Sequence, residues 1–458
     1  MKMRAEQKTA VKNSIGRLVF VALSVLLQVI WICVQAMKLN RYSTWISVAT
    51  SVLTLVVVIL LYGRRTNAAF KMPWIILILA FPVLGLGMYL LFGRKEATRL
   101  VRERFERIDQ SLDGLLIQDK AVRIKLQQTD RMAANEAAYI WNYAKYPIYQ
   151  NTDVVFYKEA SEGIEAQKQA LNQAKHFIFM EYHAIEDKQS FGELKEILAR
   201  KAKEGVEVRL FYDDIGSIGF INTDFIQRME AEGIQCRVFN RLMPVLNVFM
   251  NNRDHRKITV IDGKIGFTGG YNLADEYFNI THPYGYWKDT GVRLEGDAVR
   301  SMTVMFLEMW NAIKKSLPSD RSFEPYLTEY QYKSVQHGYV QPYADSPLDD
   351  EQVGEEVYIS MANKAEHYCW FITPYLILTD EMSHALSLAA KRDVDVRIIT
   401  PGIPDKKMIY NITRSFYHGL VKHGVRIYEW TPGFCHAKMS VADDCMATCG
   451  TINLDYRS

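Results

Sequence analysis

The chain has 458 residues, of which 49% are hydrophobic, and its 55 lysines and arginines nearly balance its 52 aspartates and glutamates. This length allows two core-forming domains and a membrane anchor. The formal net charge of only +3 gives no global polycation, so we expect no nucleic-acid partner. The six cysteines contain no C-x-x-C pair, and their spacing indicates neither a metal site nor a disulfide framework.

Residues 1–93 are predicted to form a membrane anchor with hydrophobic segments at 18–37, 45–62 and 72–92. The first segment has about the 20 residues that a membrane span requires. The third is interrupted at its centre by Pro82, Gly85 and Gly87. Three full spans would place the basic flanks of the anchor on opposite sides of the membrane, whereas two spans and a re-entrant third segment keep both in the cytoplasm. Both topologies stay open, and we expect a cytoplasmic catalytic region.

Residues 94–144 are polar and helix-prone, and we interpret them as a connector. In residues 145–316, strands and helices then alternate, which predicts an α/β half with a mixed sheet. Residues 317–350 lack an apolar period and are predicted to be a linker. Residues 351–458 resume the alternation and form the second predicted half.

A first motif combines His255, Lys257 and Asp262 with the spacing H-x-K-x-x-x-x-D, followed by Gly270 and Asn272. The β-branched residues after Lys257 predict a strand, and its period of two puts His255 and Lys257 on one face. A histidine can attack phosphorus or transfer a proton, while lysine and asparagine side chains can donate to phosphate oxygens. The motif therefore predicts a phosphate-handling site that needs no metal and no cofactor.

The motif recurs with His436, Lys438, Asp443, Gly450 and Asn453 at the same internal spacing. The flanking segments repeat as well. Any one of these histidines could be an ordinary core residue, and any one lysine an ordinary surface charge. Two copies with matching flanks instead indicate a duplicated catalytic half.

Some residues of the motifs allow two interpretations. Asp262-Gly263 is also a common hairpin-turn dipeptide, so Asp262 and its counterpart Asp443 are either catalytic or structural. The motif glycines either permit close approach of a phosphate or simply form turns. Glu181, near the end of a predicted strand, is a candidate for orienting one histidine. Asp289 lies in a W-x-D pattern that follows the first motif.

The paired motifs resemble those of the phospholipase D superfamily. The stretches NNRDHRKITVIDG, FTGGYNLADEY, QPYADSPLDDE, TPYLILTDEM, RIITPGIPDKK and GTINLDYRS resemble, more narrowly, membrane-anchored bacterial cardiolipin synthases. The resemblance covers nearly the whole chain. It implies two phospholipase D-like α/β halves with mixed sheets flanked by helices and pseudo-twofold symmetry, preceded by N-terminal transmembrane helices.

The resemblance also implies a chemistry. One histidine, by family precedent His255, attacks phosphorus and forms a phosphohistidine, while His436 acts as the acid and base. Lys257, Lys438, Asn272 and Asn453 would bind the phosphoryl oxygens, with Gly270 and Gly450 allowing close approach.

The implied enzyme resides in the bacterial cell membrane as a multi-pass protein with anionic lipids as partners. It joins two phosphatidylglycerols and releases glycerol. A membrane-bound phospholipase D or another phosphodiesterase that uses water as the acceptor is the alternative, and the motif chemistry alone does not decide between them. The oligomeric state stays open.

Two further expectations concern individual segments. The apolar stretch Leu242–Met250 is either a buried loop or a loop that dips into the bilayer. Similar sequences normally continue past GTINLDYRS, whereas this chain ends at Ser458. We therefore expect a C-terminally incomplete second half, with an unpaired sheet edge or an uncovered sheet face near Asn453, reduced stability and weak or absent activity.

Overall fold

The computed structural model describes residues 44–64, 68–89, 114–240, 253–313, 323–327, 331–345 and 351–455, together with Leu26, Val29, Ile30, Cys33 and Ile108. The predicted apolar loop Leu242–Met250 and most of the first hydrophobic segment lie outside these residues. The chain divides into two compact units, the N-terminal helices and a unit that begins at Arg104, and each is described by itself.

The N-terminal unit contains α1 Thr44–Gly63, α2 Ala68–Ala80 and α3 Pro82–Met88. The second predicted hydrophobic segment lies within α1, and the third overlaps most of α2 and includes α3. The predicted interruption falls at Phe81, because Pro82 begins α3 at a position where its missing N–H costs no helical hydrogen bond. No helix within the described parts of the chain is both long enough and apolar enough to cross a membrane.

The second unit alternates strands and helices, as the sequence predicts. Its first half contains β1 Thr152–Tyr157, β2 Phe177–Tyr182, β3 Glu207–Asp213, β4 Gln235–Phe239, β5 Lys257–Ile261, β6 Ile265–Gly269, β7 Tyr286–Lys288 and β8 Gly291–Gly296. The helices before and within this half are α4 Lys120–Thr129, α5 Arg131–Ala144, α6 Ala160–Asn172, α7 Gln189–Lys203, α8 Asp214–Ser217, α9 Phe225–Ala231 and α10 Val299–Ile313. Short 3-10 turns cover Asp275–Phe278 and Glu324–Tyr326.

The second half contains fewer elements. Its strands are β9 Tyr368–Ile372, β10 Leu376–Ile377, β11 Asp395–Pro401, β12 Arg426–Trp430, β13 Gly433–Cys435, β14 Met439–Ala442, β15 Met446–Cys449 and β16 Leu454–Asp455. Its helices are α11 Val353–Lys364, α12 Asp380–Lys391 and α13 Lys407–Lys422.

Each half is built on a mixed sheet. The first sheet has the strand order β1-β8-β6-β5-β2-β3-β4, and the second has the order β12-β11-β9-β14-β15. In the first sheet, β2, β3 and β4 are parallel, while β5 runs antiparallel to β2 and pairs with β6 in a hairpin. In the second sheet, β9, β11 and β12 are parallel, and β14 has the position of β5. The predicted duplication is thus visible in the strand order.

The halves are joined by a common core and by one pair of short strands. The shared core includes Phe179 and Val260 of the first half and Phe371 and Ile398 of the second. In addition, β7 pairs in parallel with β13, so that Lys288 lies opposite Cys435. This pairing matters for the site, because the residue after β7 is Asp289 and the residue after β13 is His436.

Candidate active site

Both motif histidines lie just ahead of an inner strand of their sheet. His255 precedes β5 by two residues, and His436 precedes β14 by three. In each motif the lysine ammonium donates to the backbone carbonyl of its own histidine. Lys257 Nζ lies 2.6 Å from the His255 carbonyl oxygen, and Lys438 makes the same contact with the His436 carbonyl oxygen. Local geometry is therefore repeated along with the sequence.

The two motifs converge on one buried site. Burial and the charges of Lys257, His183, Lys438 and His436 all lower the pKa of His255. Burial and Lys438 lower the pKa of His436 to about 3, against the raising effect of Asp289, and Lys257 also contributes to the lowering. Since each imidazole responds to the lysine of the other half, the site contains residues of both motifs.

His436 is held by a carboxylate from the first half. Its Nδ1 lies 2.7 Å from Asp289 Oδ2, and the Asp289 side chain is fully buried. Lys438 Nζ also lies 2.8 Å from this Nδ1. The carboxylate can only accept, so its bond with His436 requires the hydrogen on Nδ1 and leaves Nε2 to a substrate. Burial alone would raise the pKa of Asp289, but the neighbouring His436 and Lys438 lower it below its ordinary value. Asp289 therefore remains an anion that orients His436.

Gly270 makes room for this carboxylate. A Cβ at Gly270 would lie 2.0 Å from Asp289 Oδ1, which accepts a hydrogen bond of 2.9 Å from the Thr290 N–H. The space on the Cβ side of Gly270 is filled by Asp289, and the expected role of Gly270 in phosphate approach remains a prediction. Gly450 differs, since among the described residues no atom beyond its chain neighbours lies within 4 Å of the position of its absent Cβ. The surroundings of the two motif glycines are therefore not equivalent.

His255 is held by a neutral acceptor instead. Its Nδ1 lies 3.1 Å from the backbone carbonyl oxygen of Thr451, which belongs to the second half. The carbonyl can only accept, so Nδ1 again carries the hydrogen and Nε2 keeps its lone pair. The two imidazoles thus present the same nitrogen but differ in the charge of the group that orients them.

The electrostatics of the site favour an anionic ligand. Burial lowers the pKa of Lys438 to about 8, although Asp289 partly opposes this, and burial and Lys438 lower the pKa of Lys257 well below its ordinary value. Both ammonium groups and both imidazoles are harder to charge here than in water. A phosphodiester anion between them would favour the charged forms, so binding it relieves the mutual repulsion of these groups.

The two motif asparagines are bound to groups of the protein. Asn272 accepts from the Ala184 N–H at 3.0 Å and donates to the Tyr277 hydroxyl at 2.8 Å. The Asn453 amide donates to Asp455 Oδ2 at 3.0 Å. Both side chains are buried beside the motifs, and their expected contact with a phosphate remains a prediction.

The two motif aspartates lie outside the site, which corrects their inclusion among the catalytic residues. Asp262 accepts from the backbone N–H groups of Lys175, His176 and Phe177, and Asp443 accepts from those of Glu366, His367 and Tyr368. Each therefore joins a hairpin turn to the start of the adjacent strand. The five residues of β5 separate Asp262 from the histidine end by about 16 Å.

Glu181 is also placed differently from the expectation. It forms an ion pair with Arg256, with 2.7 Å between Oε1 and Nε, rather than contacting a histidine. The strand register explains this, because Glu181 lies opposite Ile258 while Tyr182 lies opposite Lys257, on the other face of the sheet. The carboxylate that orients a histidine is Asp289, for which the W-x-D pattern was the only signal. His183 was missed, although its ring centroid lies 5.0 Å from that of His255.

Metal binding receives no support from the described side chains, among which no group of three or more His, Cys, Asp or Glu could hold an ion. The charged and titratable groups of the two motifs that come together here are the two imidazoles and the two lysines. This arrangement suits nucleophilic and acid–base chemistry at phosphorus.

Comparison with known proteins gives concordant matches. Residues 168–310 and 358–458 match the family model described as cardiolipin synthase, PLD-like domain, and residues 50–94 match the phospholipase D-nuclease N-terminal model. An uncharacterized protein of Streptococcus mutans is 43% identical over 402 residues, which cover 88% of this chain and 86% of that protein. A cardiolipin synthase of Halalkalibacterium halodurans is 32% identical over 431 residues, which cover 90% of this chain and 83% of that protein.

The cardiolipin synthase 2 of Bacillus anthracis is 32% identical over 414 residues, which cover 88% of this chain and 77% of that protein. Among solved structures, phosphatidylserine synthase of Haemophilus influenzae is 14% identical, with a TM-score of 0.48 over 68% of this chain and 80% of that one. The two stretches that match the first family model together exceed half of the chain, and each contains one complete histidine–lysine motif. The chain belongs to the cardiolipin synthase family of phospholipase D-like proteins.

Proposed function

We propose that this protein is a cardiolipin synthase, a phosphatidyltransferase that moves a phosphatidyl group from one phosphatidylglycerol to another and releases glycerol. The observation that carries the proposal is the single buried site in which His255 and His436, from separate halves, each engage Nδ1 with a group of the other half, so that Nε2 is left for a substrate. The relatives named cardiolipin synthase, which align with most of the chain, support the same substrate class.

In the first step, the Nε2 lone pair of His255 attacks the phosphorus of one phosphatidylglycerol. The bond between phosphorus and the headgroup glycerol oxygen breaks. His436, which is protonated on both ring nitrogens once the phosphodiester anion is bound, gives its Nε2 proton to that oxygen. In the second step, the headgroup hydroxyl of another phosphatidylglycerol returns a proton to His436 and attacks phosphorus, and the bond between phosphorus and His255 breaks. Lys257 and Lys438 stabilise the charge that grows on the phosphoryl oxygens.

The different partners of the two imidazoles support this division of roles. Asp289 stabilises a positive charge on His436, which the acid form requires. The Thr451 carbonyl orients His255 without adding a negative charge, so the His255 imidazole remains neutral and nucleophilic.

We assign the enzyme to the bacterial cell membrane as a multi-pass protein, with its catalytic unit on the cytoplasmic side and anionic lipids as its substrates. Exposed apolar side chains along α1, including Val52, Leu55 and Ile59, support membrane attachment through the N-terminal unit. Labelling of single cysteines from either side of sealed vesicles tests this topology. Access to a cysteine in the catalytic unit from the periplasmic side would contradict it.

The function is tested by expressing the chain in a bacterial host that lacks cardiolipin and separating the extracted lipids by thin-layer chromatography. Purified protein is then given labelled phosphatidylglycerol in vesicles. Cardiolipin and glycerol in equal amounts are expected, and the His255→Ala, His436→Ala double variant serves as the inactive control. Phosphatidic acid without cardiolipin would instead identify a phospholipase D that uses water.

A further inference from the structure

We propose that His183, which belongs to neither histidine–lysine motif, is a positioning residue that holds His255 in place for its attack on phosphorus. The inference rests on the proposed function only in taking His255 as a reacting group. It starts from the position of His183, which directly follows β2 and lies beside the first-motif histidine.

His183 contacts His255 in two ways. Its Nδ1 lies 2.8 Å from the backbone carbonyl oxygen of Asp254, the residue immediately before His255. Since a carbonyl only accepts, Nδ1 carries the hydrogen and donates it. The two imidazole rings also pack edge to face, with centroids 5.0 Å apart and planes inclined by 60°. His183 therefore restrains both the backbone that carries His255 and the plane of its ring.

The Asp254 backbone is held on its other side by Asp213. Asp213 Oδ2 accepts from the Asp254 N–H at 3.2 Å, and Asp213 Oδ1 accepts from the N–H groups of Ile215 and Gly216 at 2.9 and 3.0 Å. Gly216 in turn packs against His183, because a Cβ there would lie 2.8 Å from His183 Nε2. Asp213 and Gly216 thus fix the two partners of this hydrogen bond relative to each other.

The second half has no equivalent of His183. Alignment of His176 with His367 without gaps places Pro374 at the corresponding position, and proline has no ring donor. His436 is instead fixed by the Asp289 carboxylate and lies among the rings of Tyr277, Trp287 and Phe434. The two imidazoles are therefore positioned by different means.

This difference has a chemical consequence. A carboxylate beside His255 would stabilise its protonated form, which has no lone pair for attack. Burial, with Lys257, lowers the pKa of His183 to about 3, so the His183 ring is neutral near pH 7. A neutral imidazole can restrain the nucleophile without attracting a proton to it. His255 is thus positioned by the neutral ring of His183, which leaves the lone pair of His255 available for attack.

The test compares two substitutions of nearly equal size. His183→Asn keeps an amide donor near the position of Nδ1–H, whereas His183→Leu has a similar volume and no donor. We expect His183→Leu to lower kcat by about 10- to 100-fold with little change in KM, because the nucleophile is misplaced rather than the lipid site lost. His183→Asn should recover most of this loss. His282→Leu, at an exposed histidine, is the matched control.

A second measurement isolates the first chemical step. In a His436→Ala background, where the phosphohistidine adduct is expected to accumulate, His183→Leu should slow the formation of the adduct by a similar factor. Equal kcat for His183→Leu and wild type, or equal losses for the Leu and Asn variants with unchanged melting temperatures, would overturn the inference. If His183→Leu does not fold, His183→Phe provides the variant without a donor. A wild-type chain that makes neither adduct nor cardiolipin would refute the proposed function instead.

Discussion

The carboxylate of Asp289 in the first half and the imidazole of His436 in the second form a buried hydrogen bond of 2.7 Å. This bond connects the halves within the site and fixes which nitrogen of His436 faces the substrate. Parallel pairing of β7 with β13 places the two residues side by side, because each directly follows its strand. The acid–base group of one half therefore depends on a residue of the other.

Asp289→Asn should lower kcat by about 100-fold or more, because the amide preserves the shape but not the charge that stabilises protonated His436. The change is measured as cardiolipin formed per enzyme in mixed micelles. Glu196→Gln, at an exposed carboxylate, is the control. Retention of full activity by Asp289→Asn would contradict the role assigned to the charge.

The assignment of the nucleophile predicts opposite outcomes for the two histidines. His436→Ala should trap labelled phosphatidyl on the protein, because His255 can still attack but the second transfer is blocked. His255→Ala should trap none, and both variants should lack turnover. Acid-quenched protein separated from free lipid gives the measurement. Adduct on His255→Ala alone would reverse the two roles.

Gly270 and Gly450 occupy matching motif positions but have different surroundings. Gly270→Ala should lower activity about as much as Asp289→Asn does, since its Cβ would lie 2.0 Å from Asp289 Oδ1 and displace the carboxylate. Gly450→Ala meets no described atom within 4 Å of its Cβ position and should lower activity much less. Equal losses from the two alanines would show that displacement of Asp289 is not the cause.

The motif aspartates should affect stability more than chemistry. Asp262→Gly and Asp443→Gly keep the left-handed backbone of these residues, with φ of 53° and 50°, but remove the acceptor for three N–H groups. We expect each to lower the free energy of unfolding by about 1 kcal/mol while kcat per folded molecule is retained.

Asp393→Gly is the matched control for these two variants, because Asp393 also has a positive φ, of 67°. Urea unfolding and turnover are measured on the same preparations. A large fall in kcat without loss of stability would show instead that Asp262 and Asp443 act in catalysis.

The pH dependence should reflect Lys438. Its pKa is lowered to about 8, chiefly by burial, so its ammonium loses its proton above that pH and kcat/KM should fall as the pH rises through about 8. Stability should change in the opposite direction. Between pH 8 and the ordinary value of 10.5, the folded state binds fewer protons than the unfolded state, so the contribution of Lys438 to the free energy of unfolding rises.

The exposed Lys407 supplies the control for this profile, since Lys407→Ala should leave the decline in kcat/KM unchanged. Rates are measured on phosphatidylglycerol in mixed micelles from pH 6 to pH 10, a range chosen to bracket the pKa of about 8. A flat profile across that range would rule out a catalytic requirement for the Lys438 charge in the free enzyme.

The sequence by itself determined the alternation of strands and helices, the duplication and the histidine and lysine of each motif. These features are local or repeated. The β-branched run after Lys257 specifies a strand, and identical spacing in two places identifies His255, Lys257, His436 and Lys438 without any knowledge of folding. Pro82 similarly marked the interruption between α2 and α3, because the missing N–H of proline is a property of one residue.

Only the tertiary structure decided which groups orient the two imidazoles. Asp289 reaches His436 through a strand pair between the halves, and His183 reaches His255 because β2 lies beside β5 in the sheet. The same register directs Glu181 away from the histidines and places Asp262 at the end of β5 that is distant from His255. Such contacts join residues that are distant along the chain, and their partners depend on strand order and register. Short sequence patterns specify which face a residue occupies on its own strand, but not which residue of another strand lies next to it.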